Sequence, residues 1–350
     1  MHPLILLSKP EQVIHSFIYD QPFALEGGDT LDRLEIGYHV YGQLNERKDN
    51  VVWVCHALTA SADAADWWKG LVGEGAVIDP ATYFIVCANI VGSCYGSSGP
   101  ATPDECGEPR YAGFPSVTIR DMVRAHMLLR KHLGIEKIFL LMGGSMGGYQ
   151  ALEWCVMESA AIGAVFLIAT AAAETAWGIA IHAAQRLAIE ADPGWKDHRE
   201  GAGAAGLKAA RGFGVITYRN YDILKRMQTD PDTGKLDRFK AASYIEYQGE
   251  KLVRRFSAQS YWLLSKSMDS HQLARGRANS LEVVLAGISQ PMLIIGITGD
   301  ILCPAAEQQF IAAHVRKAKC IEIDSAYGHD GFIIETQQIG YHLADWLKQL

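Results

Sequence analysis

Seven short runs of β-branched, aromatic and other apolar residues punctuate the chain: Leu34 to Tyr41, Val51 to His56, Tyr83 to Ile90, Lys137 to Met142, Ala164 to Ala169, Pro291 to Ile297 and Lys319 to Ile323. Most are continuously apolar rather than alternating, which is the pattern of strands buried on both faces. Between several of them, apolar positions recur at helical spacing. The clearest case runs from Thr118 to Leu133, with Ile119, Met122, Val123, Leu129 and Leu133 on one face. Thr118 followed by Asp121 predicts an amino-terminal cap, and Gly134 predicts the stop. A last helix is expected from Phe332 to Lys348. Buried strands alternating with amphipathic helices imply an α/β fold, a mostly parallel sheet with helices on both faces.

From about Ala173 to Ser289 the strand pattern disappears. Helical stretches replace it, among them Ala176 to Glu190, Tyr221 to Met227 and Tyr261 to Met268. Gly201, Gly203 and Gly206 suggest a flexible patch there, and Asp230, Pro231, Asp232 and Gly234 a turn. More than a hundred residues without a clear strand, set between two strands, predict a helical lid over residues 173–289. The core would then be discontinuous, built from residues 1–172 and 290–350.

Composition narrows the function. With 32 basic and 39 acidic side chains the net charge is −7, which disfavours nucleic acid or an anionic membrane as partner. The longest nearly uninterrupted apolar run, Ala160 to Ala173, is shorter than a membrane span requires. Met1 to Leu7 lacks a basic flank and a small-residue cleavage site, so no secretory signal is expected. Seven cysteines without a Cys-x-x-Cys pair suggest neither a disulfide framework nor a thiolate metal site, and fit a reducing cytoplasm. Gly92 to Gly99 is glycine-rich, but no Gly-Lys-Ser/Thr ending makes it a phosphate-binding loop.

The chemistry centres on Gly143-Gly-Ser-Met-Gly147, a Gly-x-Ser-x-Gly pattern. It directly follows the strand ending at Met142 and precedes a helix opening at Gly148, the strand–turn–helix setting that exposes a nucleophilic serine. Ser145 needs a base, and the base needs an orienting acid. Of twelve histidines, His329 lies in the turn-rich loop Asp324 to Gly331 between the last strand and the last helix. Asp300 follows the strand Pro291 to Ile297, at a carboxyl end where the active-site groups of such sheets gather. The order Ser145, Asp300, His329 is that of an α/β-hydrolase triad. Asp324, also at a strand end, is a rival acid. Oxyanion donors are expected from the backbone N–H groups of Met146 and of Leu58 in the loop His56-Ala-Leu-Thr59. His56 reads as a residue that shapes this loop, and Trp67 and Trp68 either line an entrance or simply pack.

These stretches, with Asn89 to Pro100, Phe114 to Met122, Gln150 to Trp154, Leu273 to Arg277 and Tyr327 to Asp330, resemble the homoserine O-acyltransferase family of the α/β-hydrolase superfamily, above all its acetyl-transferring members. The resemblance implies transfer of an acetyl group from acetyl-CoA, a co-substrate rather than a resident cofactor, to the side-chain hydroxyl of L-homoserine, on the way to methionine. It implies a ping-pong cycle through Ser145, with no metal. It further implies that Arg211 holds the substrate carboxylate, that Asp330 holds its amino group and that Tyr218 assists. A homodimer joined through the lid is implied as well. Read without the family, Arg211 would be a solvated helix residue and Asp330 a turn former. Ala60, the pair Gly92-Ser93 and Tyr149 depart from the family pattern near the expected acyl pocket. A succinyl donor, serine as acceptor, an esterase and a non-catalytic binding protein are the competing readings.

Overall fold

The fold, taken from a computed structural model, is described for residues 15–104 and 106–350. The amino-terminal stretch inspected for a signal lies outside the described residues. In chain order the strands are β1 (His15–Tyr19), β2 (Phe23–Ala24), β3 (Thr30–Leu31), β4 (Leu34–Tyr41), β5 (Val51–Cys55), β6 (Phe84–Ala88), β7 (Ile138–Gly144), β8 (Ile162–Ile168), β9 (Met292–Thr298) and β10 (Ala318–Asp324). Each of the seven predicted runs forms a strand. All but β2 and β3, which pair as a small ribbon, make one sheet of order β1-β4-β6-β5-β7-β8-β9-β10. From β6 to β10 every neighbouring pair is parallel, whereas β4 runs antiparallel to β6 and β1 antiparallel to β4.

The helices of the core are α1 (Ala64–Trp67), α2 (Ile119–His132) and α3 (Met146–Met157). After β8 come α4 (Ala176–Glu190), α5 (Ala204–Tyr218), α6 (Tyr221–Gln228), α7 (Lys240–Val253), α8 (Ala258–Asp269) and α9 (Leu281–Ala286), with no strand of the sheet between them. The chain then adds α10 (Ala305–His314), α11 (Gly331–Ile334) and α12 (Thr336–Leu347). Helix α2 starts as its sequence dictates. Thr118 accepts from the Asp121 N–H while the Asp121 carboxylate accepts from the Thr118 N–H, a reciprocal cap. The expected single last helix is split at Glu335, whose backbone leaves the helical region with ψ 39° and whose carboxylate accepts from the Ser325 hydroxyl.

Burial explains why the central strands are apolar throughout. All five residues of β5 are fully buried. On one face Trp53 meets the edge of Trp154 on α3, with ring centroids 5.0 Å apart. On the other, Trp67 and Trp68 stack at 4.9 Å beneath α11 and α12. Both indoles are buried, and the Nε1 groups of Trp67 and Trp68 donate to the carbonyls of Ser61 and Phe332 at 2.9 Å each. They are packing residues, which settles the alternative left open by the sequence.

The lid helices cross at short range. A Cβ on Gly206 would stand 2.5 Å from the Ile189 Cα, so this glycine is the contact point of α5 with α4 rather than part of a flexible patch. Gly201 and Gly203 do adopt positive φ, 76° and 78°, where a side chain would be strained.

Trp68 joins two parts of the site, because the carbonyl it caps lies three residues after His329. Trp68→Phe leaves that carbonyl unpaired, a loss of about 1–3 kcal/mol, and Trp68→Ala adds a cavity for a total of about 3–5 kcal/mol. Urea denaturation should rank the stabilities wild type, Phe, Ala. Equal midpoints for all three would contradict this role.

Candidate active site

The hydroxyl of Ser145 is presented by a sharp turn between β7 and α3. Ser145 has φ 54° and ψ −127°, a region that costs a non-glycine residue about 1–3 kcal/mol. The flanking glycines make the turn possible by close approach. A Cβ on Gly143 would lie 2.3 Å from the Gly147 carbonyl oxygen, and one on Gly147 would lie 2.1 Å from the Cys55 carbonyl oxygen. The second contact presses the start of α3 against the end of β5 and so brings the loop after β5 beside Ser145. Thr170, just beyond β8, donates its hydroxyl to the Ser145 carbonyl at 2.8 Å.

Ser145, Asp300 and His329 come together as the sequence predicts. His329 Nδ1 is 2.7 Å from Asp300 Oδ2, and its Nε2 is 2.9 Å from Ser145 Oγ. With Nδ1 donating to the carboxylate, Nε2 is left to accept the serine proton. Asp300 is itself held, since its Oδ1 accepts from the backbone N–H groups of Leu302 and Cys303 at 2.8 and 2.9 Å. Burial alone would push the His329 imidazole down. The Asp300 charge and hydrogen bond, with smaller help from Asp330 and Glu174, hold it above the usual histidine value. The rival acid Asp324 is exposed and accepts from the Thr298 hydroxyl at 2.7 Å.

The loop carrying Leu58 is pinned from several directions. The Ala60 N–H donates to the Ala57 carbonyl, making Leu58 and Thr59 the centre of a tight turn. His56 is buried and accepts from the Ile90 N–H at Nε2, which leaves the proton on Nδ1 facing the Ala57 carbonyl. Burial lowers its pKa to about 4, so it is a neutral strut rather than a base. Gln150 donates to the His56 carbonyl at 3.0 Å, and Asn89 accepts from the Ala62 N–H at 2.8 Å. Among the described residues the backbone N–H groups of Leu58 and Met146 donate to no protein acceptor, as an oxyanion site requires.

The lid brings further charge over the triad. A Cβ on Gly328 would stand 3.0 Å from the Tyr218 carbonyl oxygen, so the histidine loop sits on the carboxyl end of α5. The Tyr218 ring centroid is 5.8 Å from that of His329, and the Arg211 guanidinium lies 5.3 Å from the Tyr218 ring. Among the described residues Arg211 has no carboxylate partner within salt-bridge reach. Asp330 does have one: Arg219 Nε is 3.0 Å from its Oδ2. Behind the elbow, Tyr149 donates to the buried Glu174 carboxylate at 3.0 Å and stacks on His271 at 4.2 Å. Burial raises the Glu174 carboxyl, against the pull of nearby His182. Arg219, Glu174 and His271 do not stand out in the sequence, because nothing in their spacing marks them until the lid folds over the core.

With this geometry in place, likeness to known proteins becomes informative. Residues 50–336 match the family model of the alpha/beta hydrolase fold. A homoserine O-acetyltransferase of Cyclobacterium marinum is 43% identical over 328 residues, covering 93% of this chain and 93% of its own. The chain belongs to the homoserine O-acetyltransferase family. A crystal structure of homoserine O-acetyltransferase from Bacillus anthracis, 24% identical, superposes with a TM-score of 0.87 over 95% of this chain and 96% of that one. Esterase E22 reaches the same TM-score of 0.87 at 19% identity, covering 95% of this chain and 99% of that one. Shape therefore establishes the fold, and only residues can separate transfer from hydrolysis. In this member of the homoserine O-acetyltransferase family, the departure at Tyr149 is buried in the Glu174 pair rather than exposed in an acyl pocket.

A neutral His329 is required to take the serine proton, so activity should fall as pH drops through its pKa. The acid limb of kcat/KM is expected above the ordinary histidine value of about 6.5. Asp300→Asn removes the charge that lifts it and misorients the ring, so the limb should move down and the rate fall roughly 10⁴-fold. A limb that stays in place in Asp300→Asn would refute the assignment of the shift to Asp300.

Proposed function

We propose that the protein transfers an acetyl group from acetyl-CoA to the side-chain hydroxyl of L-homoserine through an acyl-Ser145 intermediate. One observation carries the reading: beside the Ser145–His329–Asp300 triad stand Arg211, over the Tyr218 ring that faces His329 and with no carboxylate partner among the described residues, and Asp330, next in the chain to the histidine, a cation and a carboxylate suited to an amino-acid zwitterion. An esterase for simple esters has no use for such a pair. Membership of the homoserine O-acetyltransferase family supports the same substrates.

In the proposed cycle, Ser145 Oγ attacks the thioester carbonyl as His329 Nε2 takes its proton. The Leu58 and Met146 amides stabilise the oxyanion, the C–S bond breaks, and the CoA thiolate leaves with the proton from His329. Homoserine then binds with its carboxylate on Arg211, assisted by Tyr218. Its ammonium goes to Asp330, whose Oδ1 is not engaged by Arg219. Its hydroxyl gives a proton to His329 and attacks the acyl ester, and Ser145 is reprotonated as it departs. These steps use side chains and two small molecules, without a metal or a resident cofactor.

The same reading places the enzyme in the cytoplasm, where acyl-CoA is available; the seven free cysteines accord with that reducing compartment. No helix among the described residues is long and apolar enough to cross a membrane. We further infer a homodimer formed through the lid. Phe213 and Ile216, three apart on α5, are 47% and 54% exposed, and Leu236 is 92% exposed. That much bare apolar surface on one domain suits a second copy of the same surface.

Thiol release should be measured from acetyl-CoA and succinyl-CoA, each with L-homoserine, with L-serine and with no acceptor. Release from acetyl-CoA that requires homoserine is the expected result, and Arg211→Ala should raise the homoserine KM by about 10-fold or more. Equal release without an acceptor would replace transfer by hydrolysis. For assembly, sedimentation velocity should give a dimer for wild type and a monomer for the Phe213→Glu, Ile216→Glu double variant. A monomeric wild type would overturn the lid contact.

A further inference from the structure

The segment between α7 and α8 contributes an arginine that reaches out of the lid into the oxyanion loop. Arg255 Nη1 donates to the Thr59 carbonyl and, at 2.9 Å, to the Tyr95 hydroxyl, while its Nη2 donates to the Thr59 hydroxyl at 3.2 Å. Thr59 is the second central residue of the turn closed by the Ala60 N–H on the Ala57 carbonyl, and Leu58 is the first. Gripping both the carbonyl and the side chain of Thr59 fixes the rotation of this residue, and through the shared turn it fixes the direction in which the Leu58 N–H points. Tyr95, the third acceptor, is anchored in turn: its carbonyl takes a hydrogen bond from Asn89, and its ring meets the edge of Phe256, the residue after Arg255.

Arg255 is only partly exposed, and among the described residues no carboxylate lies within salt-bridge reach of it. Among the described residues its hydrogen bonds go to neutral oxygens, so what holds Arg255 there is the geometry of the clamp rather than an ion pair.

We propose that Arg255 is the positioning residue of the oxyanion hole: from the lid it holds the 57–60 turn so that the Leu58 amide faces the carbonyl attacked by Ser145. The proposal rests on the reading of Leu58 as an oxyanion donor. It adds that the donor is competent only while the lid is seated on the core, because the clamp and the donor belong to different parts of the chain. Displacing the lid would open the oxyanion hole as well as the pocket.

The test compares wild type with Arg255→Ala, Arg255→Lys and Thr59→Val. The acylation rate is read from single-turnover thiol release with acetyl-CoA and from nitrophenolate release with 4-nitrophenyl acetate. Affinity is measured for a trifluoromethyl ketone, whose hemiketal on Ser145 carries the oxyanion. Arg255→Ala should slow acylation by about 10²-fold and weaken ketone binding by a similar factor, with a smaller change in the homoserine KM. Arg255→Lys should recover part of both losses, because an ammonium cannot span carbonyl and hydroxyl as the guanidinium does. Thr59→Val, which keeps the carbonyl, should cost a few-fold, about the worth of one neutral hydrogen bond. If Arg255→Ala does not fold, the other two variants decide. Unchanged acylation, or slower acylation with undiminished ketone affinity, would overturn the proposal. The ester and ketone arms use the triad and the oxyanion donors without CoA or an acceptor, so a wrong donor in the proposed function shows in the thiol assay and a wrong acceptor in the homoserine KM, while these two arms still test Arg255.

Discussion

A serine held at φ 54° between a strand and a helix is an unfavourable conformation, and much of the architecture is arranged around sustaining it. The turn exists because β7 is locked between β5 and β8 at the middle of the sheet, with every residue but Phe139 buried and its backbone paired on both sides. The helix that follows can start only where Gly147 meets the Cys55 carbonyl, so the position of β5 determines how α3 begins. That one contact carries two consequences. It sets the Met146 amide at the first turn of α3, where helix N–H groups have no intrahelical acceptor, and it brings the Leu58 turn alongside. Strain at Ser145 and the placement of the two unpaired amides proposed as oxyanion donors thus share a cause.

The histidine–aspartate pair raises a different problem, because both groups are almost completely buried. Removing an ion pair from water costs several kcal/mol per ion unless the lost hydration is replaced. Asp300 replaces it with two backbone N–H donors and the imidazole. A carboxylate so satisfied stays an acceptor and fixes the His329 tautomer, and this orientation is what makes Nε2 basic toward Ser145. Further out, Glu174 and Asp330 add negative charge around the imidazole, each attended by its own cation or donor: Tyr149 and His182 for the first, Arg219 for the second. The site therefore favours imidazolium, the species that forms as Ser145 loses its proton, without leaving a buried carboxylate bare.

The sequence makes the core readable for physical reasons that are local. Strands buried on both faces must be apolar at nearly every position, so the middle of the sheet stands out, and the Gly-x-Ser-x-Gly turn is legible because its glycines answer to contacts within and beside the motif. The Thr118–Asp121 cap is equally local. The strand β1 escapes notice because it pairs on one side only, antiparallel at the edge, and His15, Ser16 and Tyr19 break its apolar pattern. The partner of Glu335 at the helix break is Ser325, at the other end of the histidine loop, and the role of Gly206 depends on a helix crossing; neither is visible in its own neighbourhood. The charged residues of the lid are the hardest to read. Arg219 on Asp330 spans 111 positions and Arg255 on Thr59 spans 196, so only the folded chain gives them meaning.

This difference between core and lid bears on why one fold serves both transfer and hydrolysis. The sheet and the elbow supply an activated serine, and that much is compatible with water as the final acceptor. Selecting an amino-acid alcohol over water requires the acyl-enzyme to be kept from bulk solvent, where it would hydrolyse. The clamp proposed for Arg255, reaching from the lid to the 57–60 turn, would tie the oxyanion hole to a seated lid in just this way. The charges that would orient the acceptor lie on the same boundary, Arg211 and Arg219 on the lid side and Asp330 on the core side, joined by the Arg219–Asp330 ion pair. Closure, acceptor orientation and transition-state stabilisation then form one equilibrium rather than three. The specificity for transfer resides at the seam between the two parts of the chain, while the chemistry resides in the sheet beneath it.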